Sequence, residues 1–403
     1  MKNLRRIPWL RMAFPPILLA VALFGSSLID ATLGVVSEAK ATVTNLEVQP
    51  RHRYISDHLF GVDFFDENHG IATGYFGTVL RTEDGGRNWS WHTTGETELL
   101  RRVHMTSIDQ AFSIGHRGTI YRTQDKGASW QVVHREPDTM LRAVAFSLDG
   151  LKGWAVGNRA AILHTQDGGQ TWERQALTGY TARDLPTWNG IALVDSDSGS
   201  TTVALVGEFG ILAFSSDEGE NWVIRESPTG TTLNDIAVTP GGFLAVGLDG
   251  TAVTIARLKN ATEDGYDLKA LSTGSTEHLF SLAVDAGGEG VVVGKSSVLQ
   301  LSGDHFNLAP VDDEVGLPYT WFADIDMTDG GAFWTVGRGG VIAGSPPGGG
   351  ALQVMFRLGS GVSTQDTINL KDKNYESSFR GIHHSLSLVG SRMPDDSHSV
   401  ARI

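Results

Sequence analysis

The chain has 403 residues, with 49 glycines, 10 tryptophans and a hydrophobic share of 40%, which excludes general disorder and favours a turn-dense β protein. Its 46 acidic residues outnumber 32 basic ones for a net charge of −14, so it lacks the basic field that bulk nucleic-acid binding requires. It contains no cysteine, which excludes disulfides, thiolate metal sites and a cysteine nucleophile.

Lys2, Arg5, Arg6 and Arg11 precede the uncharged stretch 12–29, MAFPPILLAVALFGSSLI. A basic segment followed by an apolar one is the pattern of an export signal. The stretch is also about long enough to span a bilayer once, so an uncleaved membrane anchor is the rival reading. Ser37-Glu38-Ala39 is a small-x-small cleavage site. Residues 1–39 are therefore expected to be a signal peptide or N-terminal anchor. The remainder would be exported, either periplasmic or anchored on the outer side of the inner membrane through residues 12–29.

From residue 57 onward one unit recurs seven times. Each copy opens with apolar residues two apart: Val62/Phe64, Val103/Met105, Val144/Phe146, Ile191/Leu193, Ile236/Val238, Leu282/Val284 and Ile325/Met327. Alternation with period two marks a strand with one face buried. A second strand then ends at Gly74, Gly115, Gly157, Gly207, Gly247, Gly294 or Gly337, followed by a two-residue turn and a third strand. These glycines lie 40 to 50 residues apart, the period of a four-stranded propeller blade. Seven copies predict one all-β domain, a seven-bladed β-propeller within residues 40–357. Either a strand near 42–48 or the segment 351–357 should complete the last blade.

After the third strand, copies one to four carry Ser/Thr-x-Asp-x-Gly-x-x-Trp, with Asp84/Trp89, Asp125/Trp130, Asp167/Trp172 and Asp217/Trp222 at its fixed positions. This is the Asp box of the sialidase-like superfold. The aspartate is expected to accept turn N–H groups, glycine to supply a positive φ, and tryptophan to anchor the hairpin. Copies five to seven lack the motif, and Ser302-Gly303-Asp304 is at most a remnant.

The combined pattern, best preserved over residues 59–222, resembles the photosystem II stability/assembly factor family of Asp-box propellers. That resemblance implies a seven-bladed, non-catalytic protein that binds newly made reaction-centre subunits through an arginine patch on one propeller face. It implies no cofactor and no metal, and a membrane or envelope protein complex as partner.

Carboxylates repeated once per blade are too dispersed for glycoside hydrolysis, which needs two within about 5–10 Å. A sialidase-like glycoside hydrolase is nevertheless the alternative from a different class. Its Arg-Ile-Pro element occurs only at Arg6-Ile7-Pro8, inside the export signal, and none of the seven tyrosines has a sialidase context. The 13 histidines show no metal-ligand spacing.

Strand parity puts the loop leading into each first strand on the same face as the turn between strands two and three. At the first position, copies two and three carry Arg101 and Arg142; at the second turn residue they carry Arg117 and Arg159. These four arginines are the expected partner-binding residues, with Arg102 and His116 beside them. Residues 358–403 read as a polar tail, with a stray strand conceivable at 382–388.

Overall fold

The computed structural model describes residues 58–197, 199–257, 265–328, 330–345 and 350–358. The expected signal or anchor, the 42–48 strand, and all of the tail beyond residue 358 lie outside them.

Seven four-stranded sheets follow one another along the chain, each an antiparallel meander of consecutive strands. The first strands begin at Leu59, Leu100, Leu141, Trp188, Leu233, Leu279 and Phe322. Each first strand packs against those of both neighbouring blades, and that of blade seven returns to that of blade one. The ring is therefore closed, as a seven-bladed propeller.

Blade seven takes its outer strand, Gln353–Arg357, from its own end of the chain. Closure against blade one rests on packing and cross-blade hydrogen bonds. Phe64 stacks on Trp334 with ring centroids 3.7 Å apart. Trp334 Nε1 donates to the Gly85 carbonyl across the same seam at 3.1 Å. Val62 N and Phe64 N donate to the carboxylates of Asp324 and Asp326 at 3.0 and 2.8 Å.

The core consists of layers between blades. Phe112 and Phe146 of blades two and three stack at 4.4 Å with Trp172 edge-on to both. Fully burying one such ring contributes about 1.5–3 kcal/mol. Leu59, Leu100, Leu141, Leu233, Leu279 and Phe322 start their strands fully buried.

All four Asp boxes share one geometry. In blade three, Thr165 Oγ1, Thr171 Oγ1 and the backbone N–H groups of Gln170 and Thr171 all donate to Asp167 at 2.7–2.9 Å. Gly169 N donates back to Thr165 Oγ1 at 3.0 Å. The residue before each tryptophan, Asn88, Ser129, Thr171 or Asn221, gives the aspartate both a backbone and a side-chain donor. Burial pushes the Asp167 carboxyl up, but these donors prevail and hold it at about 2. Gly169 has φ +75°, and a Cβ there would lie 2.2 Å from the Phe112 ring of the preceding blade. The box thus closes its hairpin and seats it against its neighbour. Trp89 and Trp130 donate their indole N–H to the box glycine carbonyl at 3.0 and 3.1 Å. The indole nitrogens of Trp172 and Trp222 are buried without a partner among the described residues.

In blade six, Ser302 and His305 pair directly across Gly303 and Asp304. The expected box remnant is therefore a two-residue hairpin turn, too short to fold the aspartate back onto following N–H groups.

Candidate partner-binding face and the channel beneath it

Hydrogen bonds between loops fix the two faces of the ring. On one face the strand two–three turns bond to the leading loops: His116 N to the Leu99 carbonyl, Asn158 N to Met140, and Gly77 N to Glu98 of the next blade. On the other, the Asp-box hairpins bond to the loops between strands one and two: Gly85 N to Asn68, Lys126 N to Asp109, and Gly168 N to Leu151. All four expected arginines belong to the first face and all four Asp boxes to the second.

Each first strand bulges at its second residue, where pairing with strand two skips one position: Phe60, Arg101, Arg142, Asn189, Asn234, Phe280 and Ala323. A bulge frees one residue from the ladder and re-aims its side chain. Arg101 and Arg142 are thus the bulged residues of adjacent blades. Burial, then the positive charge of Arg142 and of Arg102, lowers the Arg101 guanidinium to about 9, with Asp235 opposing. Burial also lowers Arg142, with Glu208 opposing. Arg142 Nε is buried with no hydrogen-bond partner among the described residues. Two half-buried guanidinium groups therefore repel each other, and neither makes an ion pair among the described residues.

Arg117 and Arg159 differ from them. They occupy the turn tips and are exposed. Arg117 lies 3.9 Å from Glu98, a buried carboxylate that also accepts from the Tyr121 hydroxyl at 3.1 Å. The Arg159 carbonyl accepts from Arg174, which pairs with Glu136 at 2.6 Å. The four arginines thus divide into an inner pair whose opposing charges, Asp235 and Glu208, act without a contact ion pair among the described residues, and an outer pair set among carboxylates.

Arg102 does not join them. At the third position of its strand it enters the channel, where it pairs with Asp324 of blade seven and, at 3.3 Å, with Asp235 of blade five. Ser281 of blade six bonds to both aspartates. Four third-position residues therefore cross-link blades two, five, six and seven and plug the channel. Gly61 holds this position in blade one because a Cβ there would lie 2.9 Å from Arg102 Cα.

Two residues deeper, at the fifth position, Asp63, His104 and Asp326 of blades one, two and seven form a second, half-buried layer; blades three to six have alanine there. Burial raises Asp63 and Asp326 to about 7, and the charge of Asp63 adds to the rise at Asp326. Burial lowers His104 to about 4. The carboxylates accept Met105 N and Phe64 N, each from a neighbouring blade. Neither channel layer was picked out from the sequence, although aligning the third and fifth strand positions isolates every polar residue in them.

The family model described as photosynthesis system II assembly factor YCF48 matches residues 96–354. No curated protein matches the chain by sequence. Among solved structures, YCF48 bound to a D1 peptide is 18% identical with a TM-score of 0.54, covering 71% of this chain and 91% of that one. YCF48 from Cyanidioschyzon merolae is 17% identical with a TM-score of 0.56, covering 71% and 94%. An ancestral GH74 enzyme is 14% identical with a TM-score of 0.56, covering 74% of this chain and 46% of its own. Each of these likenesses concerns the fold.

Proposed function

The chain belongs to the photosynthesis system II assembly factor YCF48 family, and we propose that it is a non-catalytic, extracytoplasmic scaffold that captures an acidic segment of a membrane-protein partner on its arginine face. The observation carrying this reading is the inner pair. Arg101 and Arg142, the bulged residues of adjacent blades, are drawn partly out of water, and among the described residues neither pairs directly with a carboxylate. Such an arrangement costs stability until an anion arrives, and loops fixed on a rigid scaffold are where binding groups concentrate. A carboxylate inserted between the two forks would meet several preorganised donors. Arg117 and Arg159, exposed on the rim, would steer an acidic chain towards them. The related YCF48 structure holds a D1 peptide, and an integral membrane protein of that kind is the class of partner envisaged. An exported or membrane-anchored chain, as residues 1–39 imply, would meet such a partner outside the cytoplasm.

Replacing Arg101, Arg117, Arg142 and Arg159 together with glutamate tests this. Capture of membrane proteins from detergent-solubilised membranes should be lost, and wild-type capture should weaken with salt. Equal capture by both proteins refutes the reading. The glycosidase alternative predicts turnover on a panel of glycosides, abolished by a single carboxylate substitution. The four Asp-box carboxylates, in four separate blades on the opposite face, offer no pair for that chemistry.

A further inference from the structure

The second residue of every strand two–three turn lies in the left-handed region: Phe76, Arg117, Arg159, Phe209, Asp249 and Ser296 have φ from 50 to 58°, and Gly339 has 69°. Glycine or asparagine suits such a position, whereas a bulky side chain there is strained. Blades one to four nevertheless carry Phe, Arg, Arg and Phe. Strain of this kind persists where the surrounding structure enforces it, and it concentrates at functional sites. Nor do the phenylalanines serve the core, since Phe76 is 47% and Phe209 72% exposed. Like positions in neighbouring blades adjoin, so the four tips form one arc, with the arginines in the middle and a phenylalanine at each end. Gly77 N, next to Phe76, donates to the Glu98 carbonyl, and the Glu98 carboxylate faces Arg117, so the apolar end continues directly into the basic centre.

We propose that this arc recognises an extended peptide whose carboxylates lie between apolar side chains. The inference rests on the proposed capture of an acidic segment and adds the sequence that such a segment must have. The guanidinium forks of Arg117 and Arg159 match carboxylates, and Phe76 and Phe209 bury the flanking apolar groups. A peptide fits better than an anionic bilayer, because one or two carboxylates can sit on the arginines alone, whereas a continuous layer of lipid phosphates would also face Glu98, Glu136 and Glu208 on a protein of net charge −14.

The test uses the full chain on an array of decapeptides containing one or two glutamates, half of them with leucine or phenylalanine on both sides at varied spacing. Wild type should hold the apolar-flanked peptides about tenfold more tightly than the purely polar acidic ones. The double variant Phe76→Asn/Phe209→Asn, which suits the turn conformation, should bind both sets equally while keeping wild-type affinity for the polar set. The double variant Arg117→Glu/Arg159→Glu should lose both sets. If wild type does not distinguish the sets, or the asparagine variant still does, the inference falls while the arginine reading stands. Retention of both sets by the glutamate variant also ends the inference and leaves capture to the inner pair, whereas no binding of any acidic peptide by wild type ends the two together. Loss of co-sedimentation with phosphatidylcholine/phosphatidylglycerol vesicles in the asparagine variant would overturn the peptide in favour of a membrane.

Discussion

Arg102 of blade two and Asp235 of blade five, 133 residues apart in sequence and on opposite sides of the ring, meet at 3.3 Å in the central channel. With Asp324 as its second partner, the guanidinium joins blades that share no strand. Each aspartate also accepts backbone N–H groups, Leu282 and Ile236 at Asp235 and Val62 and Ile325 at Asp324. The plug therefore couples the geometry of the ring to a few polar residues.

Removing the arginine alone should be costly. Arg102→Met leaves two buried carboxylates without their counter-charge, an effect of about 3–5 kcal/mol in chemical denaturation. Adding Asp235→Asn and Asp324→Asn should recover part of the loss, because it removes both uncompensated charges while each amide oxygen still accepts one of the two backbone donors. If the single and triple variants are equally unstable, the arginine acts by packing rather than charge.

The deeper layer makes stability pH-dependent. Asp63 and Asp326, raised by burial to about 7, retain protons in the folded state that the unfolded chain has released. Their favourable contribution is complete at low pH and disappears as pH rises through about 7. His104, lowered by burial to about 4 from 6.5, acts in the opposite sense, and its contribution disappears as pH falls between those values. Above 6.5 only the carboxylates remain. Asp326→Asn should therefore gain on wild type by about 1 kcal/mol between pH 6 and pH 8, followed by melting at both pH values. An unchanged difference would exclude a carboxyl raised by burial in this layer.

The Asp boxes are hairpin locks. Asp167→Ala removes acceptors for Thr165, Gln170 and Thr171 and should cost about 1–3 kcal/mol, read by thermal melting. Peptide capture per folded molecule should remain at the wild-type level, because the box lies on the far face. A fall in capture at unchanged stability would contradict that role.

The inner arginine pair should show the opposite balance. Arg142→Gln relieves a repulsion with Arg101 and a buried unpaired Nε, so melting should rise by the equivalent of about 0.5–2 kcal/mol. Acidic-peptide capture should fall in the same variant. Stability and capture falling together would make Arg142 a structural residue.

Much of this protein was legible along the chain because a propeller repeats its local rules. Val62/Phe64 and the six corresponding pairs marked the first strands, Gly74 and its counterparts the turns, and Asp84 to Trp222 the hairpin locks, since each depends on residues close in sequence. Strand parity likewise sufficed to put Arg101, Arg117, Arg142 and Arg159 on one face. What parity could not decide was the fate of adjacent side chains. Arg101 and Arg102 are neighbours in sequence, yet a bulge turns one toward the face and the other into the channel. Asp235, Ser281 and Asp324 become partners of Arg102 only when ring closure brings blades two, five, six and seven around one axis. That closure also makes Asp63, Asp326 and His104 a single half-buried group, because burial and shared charge are properties of the closed ring and belong to no strand alone.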